Sequence, residues 1–235
     1  LMTTCMNDST RPFHTDIKAH GWWHSLPHRW HPFVYIARLD RPIGWWLLLL
    51  PGWWSISLGA PSSRIMIWVM TLFFIGAIVT RAAGCIINDM WDRRLDQLIA
   101  RTSARPLAAG TISMKQAAFF LLALGLIGLF VLIQLPRLAI YVGLAAAPLV
   151  VLYPLAKRVT WFPQFMLGLT FSWGVLLGWA AVAETMPPSS ITFIYVGSVL
   201  WVFGYDTIYA IQDMEDDRTV GILSLIHISE PTRPY

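Results

Sequence analysis

Charge is what this sequence has least of. Only 13% of its 235 residues are Asp, Glu, Lys or Arg, against roughly 25% in soluble domains. So few charges cannot cover a soluble globule of this length, and a chain that is 56% hydrophobic is equally unlike a disordered one. Cysteine is nearly missing: Cys5 and Cys85 are the only two, which excludes a disulfide scaffold and offers no redox or thiolate–metal pair. There is no glycine-rich phosphate loop, no dinucleotide fingerprint and no nucleophile elbow, so the common soluble nucleotide and hydrolase chemistries have no foothold. The first thirty residues hold three basic residues and no apolar core, which gives no secretory signal. They are also poor in arginine, which favours a bacterial cytoplasmic membrane over an organelle as the expected location.

What is present is apolar sequence in long blocks. A hydrocarbon core of roughly 30 Å takes about 20 apolar residues to cross as a helix. Six stretches qualify: 43–60, 65–87, 117–135, 138–156, 162–183 and 191–211. They are continuous rather than alternating, so the expected fold is all-α, a polytopic transmembrane helical bundle with six spans here. Pro51 and Pro148 interrupt two of them, which a bundle tolerates where neighbours satisfy the freed backbone groups. Residues 1–32 read as a surface approach, the Trp pairs as interface anchors, and the histidines as surface residues.

A formal net charge of +4 invites a nucleic-acid reading, yet the placement of the charges argues for a membrane. With the N-terminus inside, the inner loops receive Arg38, Arg41, Arg81, Arg93, Arg94, Arg101, Arg105, Lys115, Lys157, Arg158 and Arg218. The outer loops receive only Arg64 and Arg137. This is the positive-inside asymmetry, and no nucleic-acid partner is expected.

The acids are clustered too. Of 13 Asp and Glu, seven lie in two segments: Asp89, Asp92 and Asp96, then Asp213, Glu215, Asp216 and Asp217. Both follow a span on the inner side. Asn88, Asp92 and Asp96 are four apart and share a helix face; Asp213 and Asp217 repeat that spacing. Facing carboxylates repel unless a cation sits between them, and a few oxygen ligands with room for phosphate and water suit Mg²⁺. Arg93, Arg94, Arg101 and Arg105 follow the first cluster, while Tyr153 and Lys157, four apart with Arg158 adjacent, end the fourth span. Acids for a metal and bases for phosphate oxygens at one membrane face point to a metal–diphosphate site, and the greasy bundle offers room for an apolar tail. Asp206 lies inside the sixth apolar run, where burial costs about 2.5–3.5 kcal/mol on insertion scales, so it is a functional candidate.

These segments resemble the UbiA superfamily of intramembrane prenyltransferases. Asn88-Asp89-Met90-Trp91-Asp92-Arg93-Arg94-Leu95-Asp96 matches its NDxxDxxxD motif, and Arg101-Thr102-Ser103-Ala104-Arg105-Pro106 its RTxxRP extension. Asp213-Met214-Glu215-Asp216-Asp217 matches DxxxD, and Tyr153-Pro154-Leu155-Ala156-Lys157-Arg158 matches YPxxKR. Within the superfamily, 38–44 and the segment Tyr205-Asp206-Thr207-Ile208-Tyr209-Ala210 are most similar to the 4-hydroxybenzoate polyprenyltransferases of ubiquinone synthesis. The resemblance, over 33–222, implies a helical bundle, normally of nine spans, around a lipid-open cavity. It implies Mg²⁺-dependent transfer of a polyprenyl group from its diphosphate to the ring of 4-hydroxybenzoate, ortho to the hydroxyl. On the matching positions it implies Asn88, Asp92, Asp96, Asp213 and Asp217 as metal and diphosphate ligands. Asp92, Asp213, Asp217, Lys157 and Tyr153 would carry the catalysis. Arg93, Arg105, Arg158 and Asp206 would line the substrate site, and Arg38 or Arg41 would meet the benzoate carboxylate.

Two alternatives remain at this stage: another aromatic or macrocyclic acceptor within the superfamily, or a cation transporter. Against the transporter, the acids sit at membrane ends beside arginines rather than near the midplane. Residues 223–233 match, codon for codon, a translated sequencing adaptor, so 223–235 are expected to be foreign to the gene and the family pattern to continue past 222. The chain as written, short of three spans, is expected to be inactive.

Overall fold

The computed structural model describes residues 21–99, 102–160 and 162–212, and for 154–159 and 210–212 the backbone alone. Among the described residues all regular structure is helical. Two 3₁₀ turns, Trp22–Ser25 and His28–Trp30, lead into α1 (His31–Ile36). There follow α2 (Ile43–Gly59), α3 (Ser63–Asp96), α4 (Met114–Leu132), α5 (Arg137–Val159), α6 (Pro163–Ser172), α7 (Gly174–Ala183) and α8 (Ser189–Gln212). Each apolar run thus becomes one helix, except that 162–183 is broken at Trp173 into α6 and α7.

Length and apolarity qualify four segments as membrane spans: Ser63–Asp96, Met114–Leu132, Pro163–Ala183 and Ser189–Tyr209. The six-span expectation is therefore met in part. Helix α2 has 17 residues, roughly 26 Å of rise, which falls short of a 30 Å core. The apolar part of α5, Arg137–Tyr153, is a shorter segment as well. In the opposite sense α3 is too long. Its 34 residues rise about 51 Å, so several turns must stand beyond the hydrocarbon. Ser62 caps its start, accepting from the Ile65 amide. The polar residues fall at its far end, so the turns that leave the lipid carry Asn88 to Asp96.

Packing falls into two clusters. The first gathers Leu49, Ile56, Leu72, Phe73, Val131 and Ala180 where α2, α3, α4 and α7 meet. There α2 and α7 approach through glycine: a Cβ on Gly178 would lie 2.7 Å from the Gly52 carbonyl oxygen. Contact that close excludes a side chain. Gly178→Ala should therefore cost about 1–3 kcal/mol by forcing two backbones apart. Gly125→Ala on α4, where a Cβ meets nothing within 4 Å, should instead gain up to about 1 kcal/mol of helix propensity. Thermal unfolding of both variants in detergent checks the contrast; equal melting temperatures would refute it.

The second cluster holds up the site. Ile36, Ala37, Ile86, Leu107, Ile112 and Ala117 pack together, joining α1, the inner end of α3, the 102–113 loop and the start of α4. Full burial of each large side chain among them is worth about 1.5–3 kcal/mol. Helix α4 begins with a reciprocal cap: Ser113 and Gln116 bond each other's backbone amides. The N-terminal approach is less exposed than its composition suggests. Trp23 is buried and donates to the Tyr35 hydroxyl at 3.1 Å, and His31 is buried against the Leu26 carbonyl oxygen at 3.0 Å. These two are core residues rather than surface ones, because α1 folds back over the turns before it.

Candidate metal–diphosphate site

On a helix that turns about 100° per residue, Asn88, Asp92, Asp96 and Asp89 fall in that order within an arc of about 100°. Asp89, Asp92 and Asp96 are buried, at 1%, 3% and 4% exposure, and Asn88 is half-buried. Three buried carboxylates on one face require cations. The chain supplies two from distant positions. Arg38 Nη2 donates to both oxygens of Asp89, at 3.0 and 3.2 Å. Arg105 Nη1 donates to both oxygens of Asp96, at 3.0 and 3.1 Å, and reaches Asp89 Oδ1 at 3.4 Å.

Each arginine is set by its own element. Arg38 lies in the turn between α1 and α2 with φ 55°, a left-handed conformation that costs a residue with a Cβ about 1–3 kcal/mol. Its guanidinium also donates to the Tyr35 carbonyl oxygen at 3.3 Å. Arg105 rides on the loop that turns back over the end of α3. Three contacts fix that loop: Arg93 Nε to the Leu107 carbonyl oxygen at 3.2 Å, Gln97 Nε2 to that of Ala108 at 3.2 Å, and Thr102 Oγ1 to that of Asp96 at 3.1 Å. Arg41 pairs with Asp40 at 3.2 Å, and its Nη2 is buried with no hydrogen-bond partner.

Beneath the acids sits a residue the motif search passed over. Arg81 lies inside the run 65–87, and the reasoning that singled out Asp206 applies equally to it. Its guanidinium stacks over Phe171 at 5.3 Å and lies in the electrostatic field of Tyr153, Tyr205 and Asp89. A Cβ on Gly44 would come within 2.6 Å of its Nε, and that Nε has no hydrogen-bond partner. Helices α2 and α6 thus close on this cation of α3. Tyr153 on α5 shares the surroundings of Arg81, Asp89 and Asp92, and Asp206 is half-buried beside Tyr205 on α8. Asp213 and Asp217, and the side chains of Lys157 and Arg158, lie outside the described residues.

The donor set fits half of a magnesium site. Among the described residues no three His, Cys, Asp or Glu side chains converge tightly enough to enclose an ion by themselves. Asp89 and Asp96 hold arginines; Asn88 and Asp92 are the other two oxygen-bearing side chains of this face. Few protein oxygens with space for phosphate and water match what Mg²⁺ accepts. An open groove of about 520 Å³ along Arg64, Ile65, Ile67, Trp68 and Thr71 shares no residue with this site; it lies at the other end of α3.

Comparison with known proteins gives this geometry its family. The UbiA prenyltransferase family matches residues 48–233. The chain belongs to the UbiA prenyltransferase family. Among curated relatives of this family member, the mitochondrial 4-hydroxybenzoate polyprenyltransferase of Rattus norvegicus is 49% identical over 201 residues, 85% of this chain and 54% of that protein. Its counterpart in Homo sapiens is 45% identical over 90% of this chain and 57% of that protein. The UbiA homolog from Aeropyrum pernix superposes with a TM-score of 0.70 at 26% identity, covering 81% of this chain and 71% of that one. The UbiA homolog from Archaeoglobus fulgidus bound to GPP and Mg²⁺ shares the fold, with a TM-score of 0.66 at 18% identity over 85% and 70% of the two chains. The chain spans about half the length of the curated relatives it matches.

One expectation is overturned. The relatives are mitochondrial proteins, which contradicts the bacterial cytoplasmic membrane expected from the arginine-poor start. Because the chain spans only part of its relatives, the composition of its first residues is no measure of a targeting leader.

Proposed function

We propose that the protein transfers a polyprenyl group from polyprenyl diphosphate to the ring of 4-hydroxybenzoate in a mitochondrial membrane. The observation that carries this reading is the buried acidic face of Asp89, Asp92 and Asp96, braced by Arg38 and Arg105 at the membrane end of a long apolar helix. The relatives' names, and the GPP and Mg²⁺ bound to a protein of the same fold, support it. Asn88 and Asp92, with Asp213 and Asp217 of the second motif, would hold Mg²⁺, which when bound supplies Lewis-acid stabilisation of charge on the leaving diphosphate. Arg93, Arg105, Lys157 and Arg158 would bind diphosphate oxygens as the allylic C–O bond breaks. The ring carbon ortho to the hydroxyl bonds to the prenyl carbon, and its proton leaves to restore aromaticity. The isoprenoid tail lies among the apolar helices.

The acceptor carboxylate is better served by Arg81 than by Arg38 or Arg41. Arg38 spends its guanidinium on Asp89 and Tyr35, and Arg41 spends its Nε on Asp40 in the same turn. Arg81 lies deeper, inside the apolar run of α3 between α2 and α6, with Nε unengaged. The test is prenyl transfer in membranes by the protein from its complete natural reading frame, with 4-hydroxybenzoate, labelled polyprenyl diphosphate and Mg²⁺ or a chelator. Metal-dependent prenylated 4-hydroxybenzoate is expected. Diphosphate release without that product would discard the acceptor, and cation flux without transfer would discard the enzyme. In the same assay Arg81→Gln should raise the KM for 4-hydroxybenzoate about tenfold or more, the loss of one hydrogen-bonded charge contact. Arg41→Gln should leave that KM in place.

A further inference from the structure

We propose that Asp89 is a positioning residue rather than a metal ligand: it ties the α1–α2 turn to the arginine loop so that Arg105 faces the diphosphate. The inference rests on the diphosphate reading above. Its basis is the direction of the Asp89 carboxylate. Both oxygens are engaged by guanidinium groups, Oδ1 by Arg38 and Arg105 and Oδ2 by Arg38, and the side chain is sealed at 1% exposure. These three bonds, with a side-chain hydrogen bond from Asn88, occupy the roughly four lone-pair sites of a carboxylate and leave little to offer a metal.

The four charges form one alternating chain, Arg38–Asp89–Arg105–Asp96. Arg105 is held tightly by Asp96 and more loosely, at 3.4 Å, by Asp89. Asp89 therefore draws the guanidinium back along the helix face, one turn past Asp92, instead of leaving it collapsed on Asp96. At the other end Arg38 keeps its left-handed backbone, a strained state that persists only where the surroundings over-determine it. The bidentate bond to Asp89 is that determinant, 51 positions away in sequence. With Asp89 neutral, Arg38 loses its anchor and Arg105 relaxes onto Asp96. The diphosphate site then loses a correctly aimed base while its metal ligands are untouched.

The experiment measures equilibrium binding of geranyl S-thiolodiphosphate, which is not turned over, to the protein from its complete natural reading frame in detergent, across a Mg²⁺ titration. Asp89→Asn should weaken the probe about tenfold at saturating Mg²⁺, as for one charge-assisted hydrogen bond, with the Mg²⁺ midpoint unchanged. Arg38→Gln should do the same, and the double variant should be no worse than either single, because both remove one link. Asp89→Glu, which keeps the carboxylate, should recover part of the affinity. A displaced Mg²⁺ midpoint in Asp89→Asn but not in Arg38→Gln would make Asp89 a metal ligand and overturn the assignment. So would multiplicative effects in the double variant. If Asp89→Asn fails to fold, Arg38→Gln decides: unchanged probe affinity overturns the assignment, and weakened affinity at a constant midpoint sustains it. Absence of Mg²⁺-dependent probe binding by the wild-type protein would overturn the diphosphate reading itself, and this inference with it.

Discussion

Asp92→Asn lowers the rate of prenyl transfer by about 10²–10³-fold, the scale seen when one group that stabilises transition-state charge is removed, and affects the rate far more than the melting temperature. The two halves of this result have one cause. Asp92 is buried at 3% exposure between Asp89 and Asp96, which hold Arg38 and Arg105. Neutralising Asp92 removes charge that would draw the cation and its diphosphate, while the arginine pairs of Asp89 and Asp96 that brace this face stay in place. A purely structural carboxylate would behave in the opposite way, losing stability with little change in rate. Transfer assays beside thermal unfolding of the same preparation separate the two, and a fall in melting temperature with transfer intact would sink the assignment.

Arg105→Ala lowers stability by about 3–5 kcal/mol, the cost of removing one partner from a buried ion pair, and raises the KM for the prenyl diphosphate. Arg105 Nη1 makes two close contacts to Asp96 and a longer one to Asp89, and its side chain is 14% exposed. Truncation leaves the buried Asp96 carboxylate with no guanidinium and frees the loop from the end of α3. Arg105→Lys keeps the charge but loses the planar fork, so it should fall between wild type and Ala in both measurements. Melting in detergent and substrate titration check this. An Ala variant as stable as wild type would show that the contacts seen here carry no energy.

Much of the architecture was legible without coordinates. Among the described residues each apolar run located helical structure, to within a few residues except at the far end of α3, which continues to Asp96, because hydrophobic length is a one-dimensional property. The break at Trp173 was not legible: Trp173 donates its indole N–H to the Val142 carbonyl oxygen on α5 at 2.9 Å, a contact between separate helices. At the site, the four-residue spacing of Asn88, Asp92 and Asp96 was plain in the sequence. It also drew attention away from Asp89, one residue off that register yet the most buried acid of the group. Arg81 was visible as an arginine inside an apolar run, but it was read as one more inner-face charge.

By itself the sequence determined the class of solvent, the helical architecture, and the motifs that place the chain in its family. Those are properties of composition, run length and i, i+4 spacing, which a single helix expresses without help from its neighbours. The tertiary structure alone decided that Arg38 pairs with Asp89 across 51 residues, that Arg105 is shared between Asp89 and Asp96, and that α2 and α6 close on Arg81. Which charges face one another across elements depends on where loops turn and helices cross, and no periodicity along the chain encodes that.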